Sequence, residues 1–200
     1  MDGAGENLVI ENIKSRRSVR DFRQDGIPEE VIKKILEAGS FAPSALNRQP
    51  WRFVVVSEEA AIKELSLAVR KRLKGLYRLT PILRFFLKDF RDERFVKALK
   101  KTASSEEETV FHGAPLVIFA ANDTRYSNTV IDCALACQNM ALAAHSMGVG
   151  SCFIGRAKAI PRRSLLMKFS LPAYYDFNTC VAFGYAKEAQ RTPPPRKGTP

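Results

Sequence analysis

Arg16-Arg17-Ser18-Val19-Arg20 places three guanidinium groups and one hydroxyl within five residues. A guanidinium is planar, permanently charged and able to donate two hydrogen bonds to one oxyanion, so this cluster suits a phosphate. Ser18 adds a hydroxyl donor, and backbone N–H groups at a chain turn could add more. The alternative is a solvated basic helix end, where the helix dipole favours arginine. The five residues alone leave both interpretations open.

A second group of polar side chains lies in a loop bracketed by Pro43 and Pro50. Ser44, Asn47 and Gln49 carry side chains that both donate and accept hydrogen bonds. Held in fixed places by a stiff loop, they could bind the edge of a heteroaromatic ring. An ordinary helix-to-strand connection built from turn-forming residues explains the pattern equally well.

The third candidate is backbone rather than side chain, in the run Gly148-Val149-Gly150-Ser151-Cys152-Phe153-Ile154-Gly155. Three glycines in eight residues allow the main chain to approach a ligand closely and to present N–H groups. The run is not a dinucleotide-binding fingerprint, because its glycine spacing differs and it follows a helix rather than a strand.

Other chemistries are not supported by the residue pattern. Cysteines stand at 133, 137, 152 and 180 without a Cys-x-x-Cys pair, and we interpret them as small core residues rather than metal ligands. His112 belongs to no catalytic pattern that the sequence shows, and it is interpreted as a loop histidine. No Ser-His-Asp set or carboxylate pair is recognisable. We therefore expect no metal site.

The elements that position these groups follow from hydrophobic periodicity. Asn7 can cap a short helix that ends near Ser15, and Pro28 with two glutamates begins a second helix that ends at Gly39. Strands are predicted from Phe53 and over residues 114–121, the latter apolar on both faces and therefore central. A helix from residue 128 or 129 is apolar nearly all round, which predicts burial in the core or in a subunit interface. A further strand is predicted over residues 178–185.

Length and composition indicate one globular domain over residues 1–200, with 46% hydrophobic and 26% charged residues. The sequence contains no run of about 18 apolar residues, so it predicts no membrane-spanning helix. The first seven residues lack the features of an export signal, so we expect a cytoplasmic protein.

The net charge of +11 is concentrated in one segment, since residues 70–101 hold twelve Lys or Arg against three acids. Aromatic residues at helical spacing accompany this charge. A variable basic helical excursion at about 62–110 is predicted to cover the core or to form a lid over a pocket. The open alternative is a membrane-surface or partner-binding helix. The proline-rich residues 186–200 are predicted to form an extended arm.

Four stretches together resemble the FMN-dependent nitroreductase family. Residues 16–20 resemble its N-terminal phosphate-binding motif, and residues 43–51 are similar to its second signature, the most specific of the four. The apolar helix that runs into residues 148–155 resembles the third, and the basic tail after Phe183-Gly184-Tyr185 resembles the closing arm. The four stretches span nearly the whole chain except about residues 62–110, where the family varies most.

The resemblance implies an α+β sandwich in which helices flank a mixed or antiparallel central sheet. It also implies an intertwined homodimer with two FMN sites at the subunit interface. The expected partners are small-molecule electron acceptors, with neither nucleic acid nor membrane.

Carried over residue by residue, the resemblance implies three groups of flavin contacts. The phosphate and the pyrimidine edge would be held by Arg16, Arg17, Ser18 and Arg20, with Arg20 nearest the ring. The other subunit would line the ring with Pro43, Ser44, Ala45, Asn47 and Gln49. The opposite ring face would be covered by Phe153, Ile154 and Gly155, and Gly155 would aim a backbone N–H at N5.

Two details of this carry-over concern single positions. Arg196 in the tail is expected to be a further phosphate ligand, with Arg191 and Lys197 as the alternatives. Some family members carry an acidic residue where this chain has Gly155, so we expect the contact there to be made by main chain only.

The activity implied by the resemblance is transfer of two electrons from NADH or NADPH, through FMN, to an electron-poor acceptor such as a nitroaromatic or a quinone. One alternative keeps the fold but assigns a specialised flavin reaction, either flavin fragmentation or reductive dehalogenation. A less favoured alternative is an anion- or nucleic-acid-binding protein without enzymatic activity.

Overall fold

The fold is known from a computed structural model, which describes residues 7–105, 110–188 and 198. Its helices are α1 Leu8–Ser15, α2 Glu29–Ser40, α3 Glu59–Arg78, α4 Thr80–Phe86, α5 Glu93–Ser104, α6 Thr129–Ser146 and α7 Arg162–Lys168. The strands are β1 Trp51–Val56, β2 Leu116–Asp123, β3 Gly150–Phe153 and β4 Tyr175–Gly184. Short 3-10 helices occupy Ala45–Asn47, Lys88–Arg91 and Gly155–Ala159.

The four strands form one antiparallel sheet in the order β1-β2-β4-β3. Every residue of β2 is buried, so its apolar run does form an inner strand, as predicted. The register between β2 and β4 shifts at Ala120/Ala121. Helices cover both faces of the sheet, which confirms the expected α+β sandwich. Of the two expected sheet types, mixed or antiparallel, the sheet is antiparallel.

One face of the sheet is covered by α2 and α6. Gly39 lets these helices come close, because a Cβ at this position would lie 2.7 Å from the Met140 Cγ. The inner side of α6 is buried, including Cys133 and Cys137, while Ile131 on its outer side is 59% exposed. Within this chain, α6 is therefore buried on one side only.

The opposite face is covered by α3, α5 and α7, whose buried residues include Val69, Leu99 and Leu165. The aromatic residues of the basic segment are divided between two environments. Phe90 is buried, but Phe85 and Phe86 are 73% and 78% exposed. The reason is the extended backbone at Leu87, which interrupts the helix so that residues before and after it no longer share a face.

A strand-like segment extends the sheet beyond β3. Ser18 forms a parallel bridge with Ser151, and the Val19 N–H donates to the Ser151 carbonyl at 3.0 Å. Further along, the Arg23 N–H donates to the Tyr185 carbonyl at 2.8 Å. The arginine cluster thus begins with Arg16 at the C-cap of α1 and continues along an extended edge of the sheet.

All four cysteines are buried free thiols. Burial raises the pKa of Cys133 and of Cys137 to about 12, with a smaller contribution from neighbouring groups. Burial also raises the pKa of Cys152 and, more strongly, that of Cys180. Their interpretation as core residues agrees with this burial.

Across the described residues, every helix is too short or too polar to cross a bilayer.

Candidate active site

Arg17 carries the most informative side chain of the arginine cluster. It is half-buried, and its Nη1 donates to the Arg16 carbonyl at 2.5 Å. Its Nε and Nη2 are buried without any hydrogen-bond acceptor among the described residues. A buried charged donor without a partner costs about 1–3 kcal/mol or more, so such groups call for an explanation. An oxyanion bound at this point would supply the missing acceptors.

Ser151 is a site residue that sequence reasoning missed. It is the bridge partner of Ser18, it is almost fully buried, and its Oγ has no hydrogen-bond partner in the described part of the chain. Ser151 stood in the glycine-rich run, but nothing in the sequence indicated that this run would lie beside residue 18.

His145, at the last turn of α6, is a second residue that was missed. Its Nε2 lies 2.9 Å from the Ser15 Oγ, and Asn12 on α1 donates to the Leu142 carbonyl at 3.0 Å. Burial lowers the pKa of His145, and the charges of Arg16 and Arg17 lower it further. The ends of α1 and α6 therefore meet in a region of positive charge.

Arg20 lies apart from this region. It lines a cleft of about 650 Å³ whose wall includes Phe153, Ile154 and Gly155. Neither Arg16 nor Arg17 lines the cleft, so the structure divides the predicted cluster between two places. Within the cleft, burial lowers the pKa of Arg156, and the nearby charge of Arg20 lowers it further.

The cleft brings the third predicted group together with Arg20. Gly155 begins a 3-10 helix, and the first N–H groups of a helix have no acceptor within it. Gly155 and Arg156, the first two residues of this helix, both line the cleft. At the cleft mouth Lys187 pairs with Asp21 at 2.8 Å.

The loop over residues 43–49 does not line the cleft of its own chain. The Gln49 N–H donates to the Ser44 Oγ at 3.0 Å, and the Gln49 Nε2 donates to the Asn47 Oδ1 at 3.1 Å. Leu46, Asn47 and Gln49 have φ angles of 55°, 53° and 47°, a left-handed conformation that side chains rarely adopt. A strained loop that is largely solvent-exposed is typical of a segment held ready for a ligand or a partner.

Helices α1 and α6 both carry apolar side chains that are exposed to solvent. These side chains include Leu8 at 80%, Val9 at 66%, Ile131 at 59% and Leu135 at 42% exposure. Exposed apolar side chains such as these are typical of a surface that contacts another protein. The expected homodimer, with residues 43–49 reaching the cleft of the other subunit, stays a prediction. Arg191, Arg196 and Lys197 lie outside the described residues.

Replacing Gly150 with Ala is expected to displace the arginine segment. The added Cβ would lie 2.6 Å from the Val19 Cγ2 and 3.1 Å from the Gly184 carbonyl oxygen. Overpacking of this kind costs about 1–3 kcal/mol, so the melting temperature should fall by several degrees. Gly26→Ala is the matched control, because its Cβ would meet nothing within 4 Å. Equal melting temperatures for the two variants in a thermal scan would show that the segment is not held by this close approach.

Comparisons with known proteins agree with this geometry. The sequence profile of the nitroreductase family matches residues 13–185. A crystal structure of a nitroreductase with bound FMN from Bacteroides fragilis is 29% identical, with a TM-score of 0.74 over 96% of this chain and 97% of that one. The 5,6-dimethylbenzimidazole synthase of Rhodospirillum rubrum is 28% identical over 89% of this chain and 82% of the relative.

The name of a third relative includes a nicotinamide nucleotide, NADPH. The FMN reductase (NADPH) of Bacillus subtilis is 29% identical over 74% of this chain and 54% of its own length. The profile match covers the arginine segment, the strained loop and all of the cleft lining except Lys187. The chain therefore belongs to the nitroreductase family.

Proposed function

We propose that this protein is a cytoplasmic, FMN-dependent oxidoreductase that takes two electrons from NADH or NADPH and passes them to an electron-poor acceptor. A nitroaromatic or a quinone is the expected acceptor class. The observation that carries the proposal is that two donors of Arg17, beside the Ser18–Ser151 bridge, are buried without a partner among the described residues. Family membership and the FMN-bound relative support the same cofactor.

The phosphate of FMN fits the residues at the junction of α1, α6 and β3. Arg17 offers two buried donors and Ser151 offers a buried hydroxyl, and each needs an acceptor. Arg16 and Ser18 are half-buried at the same segment. A phosphate is compact, carries about two negative charges and accepts several hydrogen bonds, so it would satisfy these donors together. We propose these four residues as its ligands.

The other end of the segment would hold the ring. FMN, when bound, supplies the hydride- and electron-transfer chemistry, and the protein supplies position and electrostatics. Arg20 would place a positive charge at the pyrimidine edge and stabilise negative charge that develops there. Phe153 and Ile154 would exclude water from one ring face, and the Gly155 N–H would hold the ring by a main-chain contact. The open side of the cleft would receive the nucleotide and the acceptor in turn.

The site would be completed by a second copy of the chain. Residues 43–49 do not line their own cleft, and their strained backbone presents Pro43, Ser44, Ala45, Asn47 and Gln49 to solvent or at partly exposed positions. In a homodimer they would cover the ring bound by the other subunit. The exposed apolar side chains of α1 and α6 are the proposed contact between subunits.

A flavin analysis with steady-state kinetics tests the proposal. The purified protein should be yellow, and acid extraction should release FMN in a ratio near one per chain. With NADH or NADPH and a panel of nitroaromatics and quinones, initial rates should give the parallel double-reciprocal lines of a two-step exchange. Protein that stays colourless after incubation with FMN would exclude the proposed function.

One alternative shares the cofactor site. The relative from Rhodospirillum rubrum is named a 5,6-dimethylbenzimidazole synthase, so a specialised flavin reaction remains the second candidate. The fate of the flavin separates electron transfer from the flavin-fragmenting form of this alternative. Turnover that leaves the FMN content constant supports the electron-transfer function, whereas loss of FMN in step with product would favour the alternative.

A further inference from the structure

An exposed apolar surface on α4 is not explained by the proposed active site. It consists of Leu79, Ile82, Phe85, Phe86 and Leu87, which are between 46% and 78% exposed. We refer to these five residues as the α4 face. Two adjacent phenylalanines exposed to this extent, with three aliphatic neighbours, are typical of a surface that binds a protein, a membrane or a ligand.

Positive charge surrounds the α4 face. Arg84 and Lys88 are exposed beside the two phenylalanines. The Arg91 guanidinium lies against the end of α4, where its Nε donates to the Arg84 carbonyl at 2.9 Å and its Nη2 to the Phe85 carbonyl at 3.0 Å. The wider segment of residues 70–101 has twelve cations against three acids. The binding partner is therefore expected to be anionic.

A small pocket adjoins the face, between α4 and α5. Its volume is about 290 Å³, and it is lined by Arg84, Phe90, Arg91, Glu93, Val96, Lys97 and Lys100. Four of these residues are cations and one is an acid. Within the described ranges none of the four cations forms an ion pair with a carboxylate. The pocket lining thus has a net positive charge and two apolar residues, Phe90 and Val96, a combination that suits a phosphate attached to a hydrocarbon.

We propose that the α4 face and this pocket dock the protein on the surface of a membrane that contains anionic phospholipids. A lipid phosphate enters the pocket, and Phe85 and Phe86 enter the boundary between head groups and acyl chains. Aromatic residues prefer this boundary, and basic residues beside it are attracted by anionic head groups. The proposal revises our expectation from the sequence that no membrane is a partner.

Other occupants fit the observations less well. A single-stranded nucleic acid would stack on Phe85 and Phe86, but it has no use for the aliphatic Leu79, Ile82 and Leu87. Two copies of the α4 face would repel each other, because both carry the same charge. The redox substrates occupy another place, since the pocket and the cleft share no lining residue. A membrane surface with negatively charged head groups matches both the apolar side chains of the α4 face and the cations around the pocket.

Vesicle flotation with the flavin-loaded protein tests this inference. The protein should float with vesicles of phosphatidylcholine and phosphatidylglycerol but not with phosphatidylcholine alone, and raised salt should weaken binding. Each Lys or Arg near an anionic surface contributes about 1 kcal/mol, or about fivefold in affinity. The double variant Arg84→Gln/Lys88→Gln should therefore bind roughly 25-fold more weakly. Phe85→Ser/Phe86→Ser should reduce binding at least about tenfold.

The control is Lys34→Gln/Arg163→Gln, which removes two exposed cations from α2 and α7 and should bind vesicles like the unchanged protein. All variants alter exposed residues, so FMN content and melting temperature should stay constant and show that the fold is intact. Equal binding to both vesicle types, equal loss in the control, or unchanged binding by Phe85→Ser/Phe86→Ser would overturn the proposal. Salt-dependent binding to DNA without binding to anionic vesicles would assign the surface to nucleic acid instead.

Discussion

Replacing Arg17 with Met should weaken FMN binding by roughly 30- to 700-fold and, at the same time, raise the stability of the flavin-free protein. The two effects have opposite signs because the Nε and Nη2 of Arg17 are buried without acceptors among the described residues. In the loaded protein they would donate two charge-assisted hydrogen bonds, together worth about 2–4 kcal/mol. In the flavin-free protein they cost free energy, and a methionine of similar length removes that cost.

Fluorescence titration of the flavin-free protein and a thermal scan measure the two effects. Removal of the unpartnered donors should raise the melting temperature by a few degrees, at about 2–4 °C per kcal/mol for a chain of this size. Riboflavin lacks the phosphate, so its affinity should be unchanged in Arg17→Met. Arg23→Met is the control, because Arg23 is exposed and paired with Asp25 at 3.1 Å. A destabilised Arg17→Met protein that binds FMN normally would show that Arg17 is structural.

Replacing Ile131 with Asp should convert the proposed dimer into monomers and release the flavin. Ile131 is 59% exposed on the outer side of α6, where the second subunit is expected to cover it. A buried carboxylate without a partner costs several kcal/mol, and a symmetric dimer contains it twice. We therefore expect the dissociation constant of the dimer to rise by at least about 100-fold.

Leu67→Asp is a closely matched control, since Leu67 is also 59% exposed but lies on α3, away from the proposed interface. Sedimentation velocity gives the subunit state, and absorbance of the same fractions gives the FMN content. The control should stay dimeric and yellow. A monomeric Ile131→Asp protein that retains FMN at full affinity would contradict a site shared between subunits.

Features that depend on neighbouring residues were predictable from the sequence. The Asn7 Oδ1 accepts from the Val9 N–H at 2.9 Å, so this residue caps α1 as its type suggested. Pro28 immediately precedes α2, and the doubly apolar run became the buried strand β2. In each case the signal is a local preference or a periodicity, which acts before distant parts of the chain meet.

Features that depend on distant contacts were not predictable. His145 meets Ser15 across 130 positions, and Ser151 meets Ser18 only after the sheet has formed. Strand β3 was missed because glycine weakens the strand pattern, although pairing with β4 stabilises it. The predicted arginine cluster proved to be two groups, since an extended segment carries Arg17 and Arg20 to different surroundings. The exposure of Phe85 depends on a single bend at Leu87 that periodicity does not show.

The burial of the four thiols affects how readily the protein is chemically modified. Thiolates, not thiols, react with electrophiles and peroxides, and a pKa of about 12 leaves almost none of Cys133 or Cys137 in that form at neutral pH. Quinones are electrophiles that alkylate reactive cysteines. We therefore expect Cys133 and Cys137 to stay unmodified when the folded protein is incubated with a quinone.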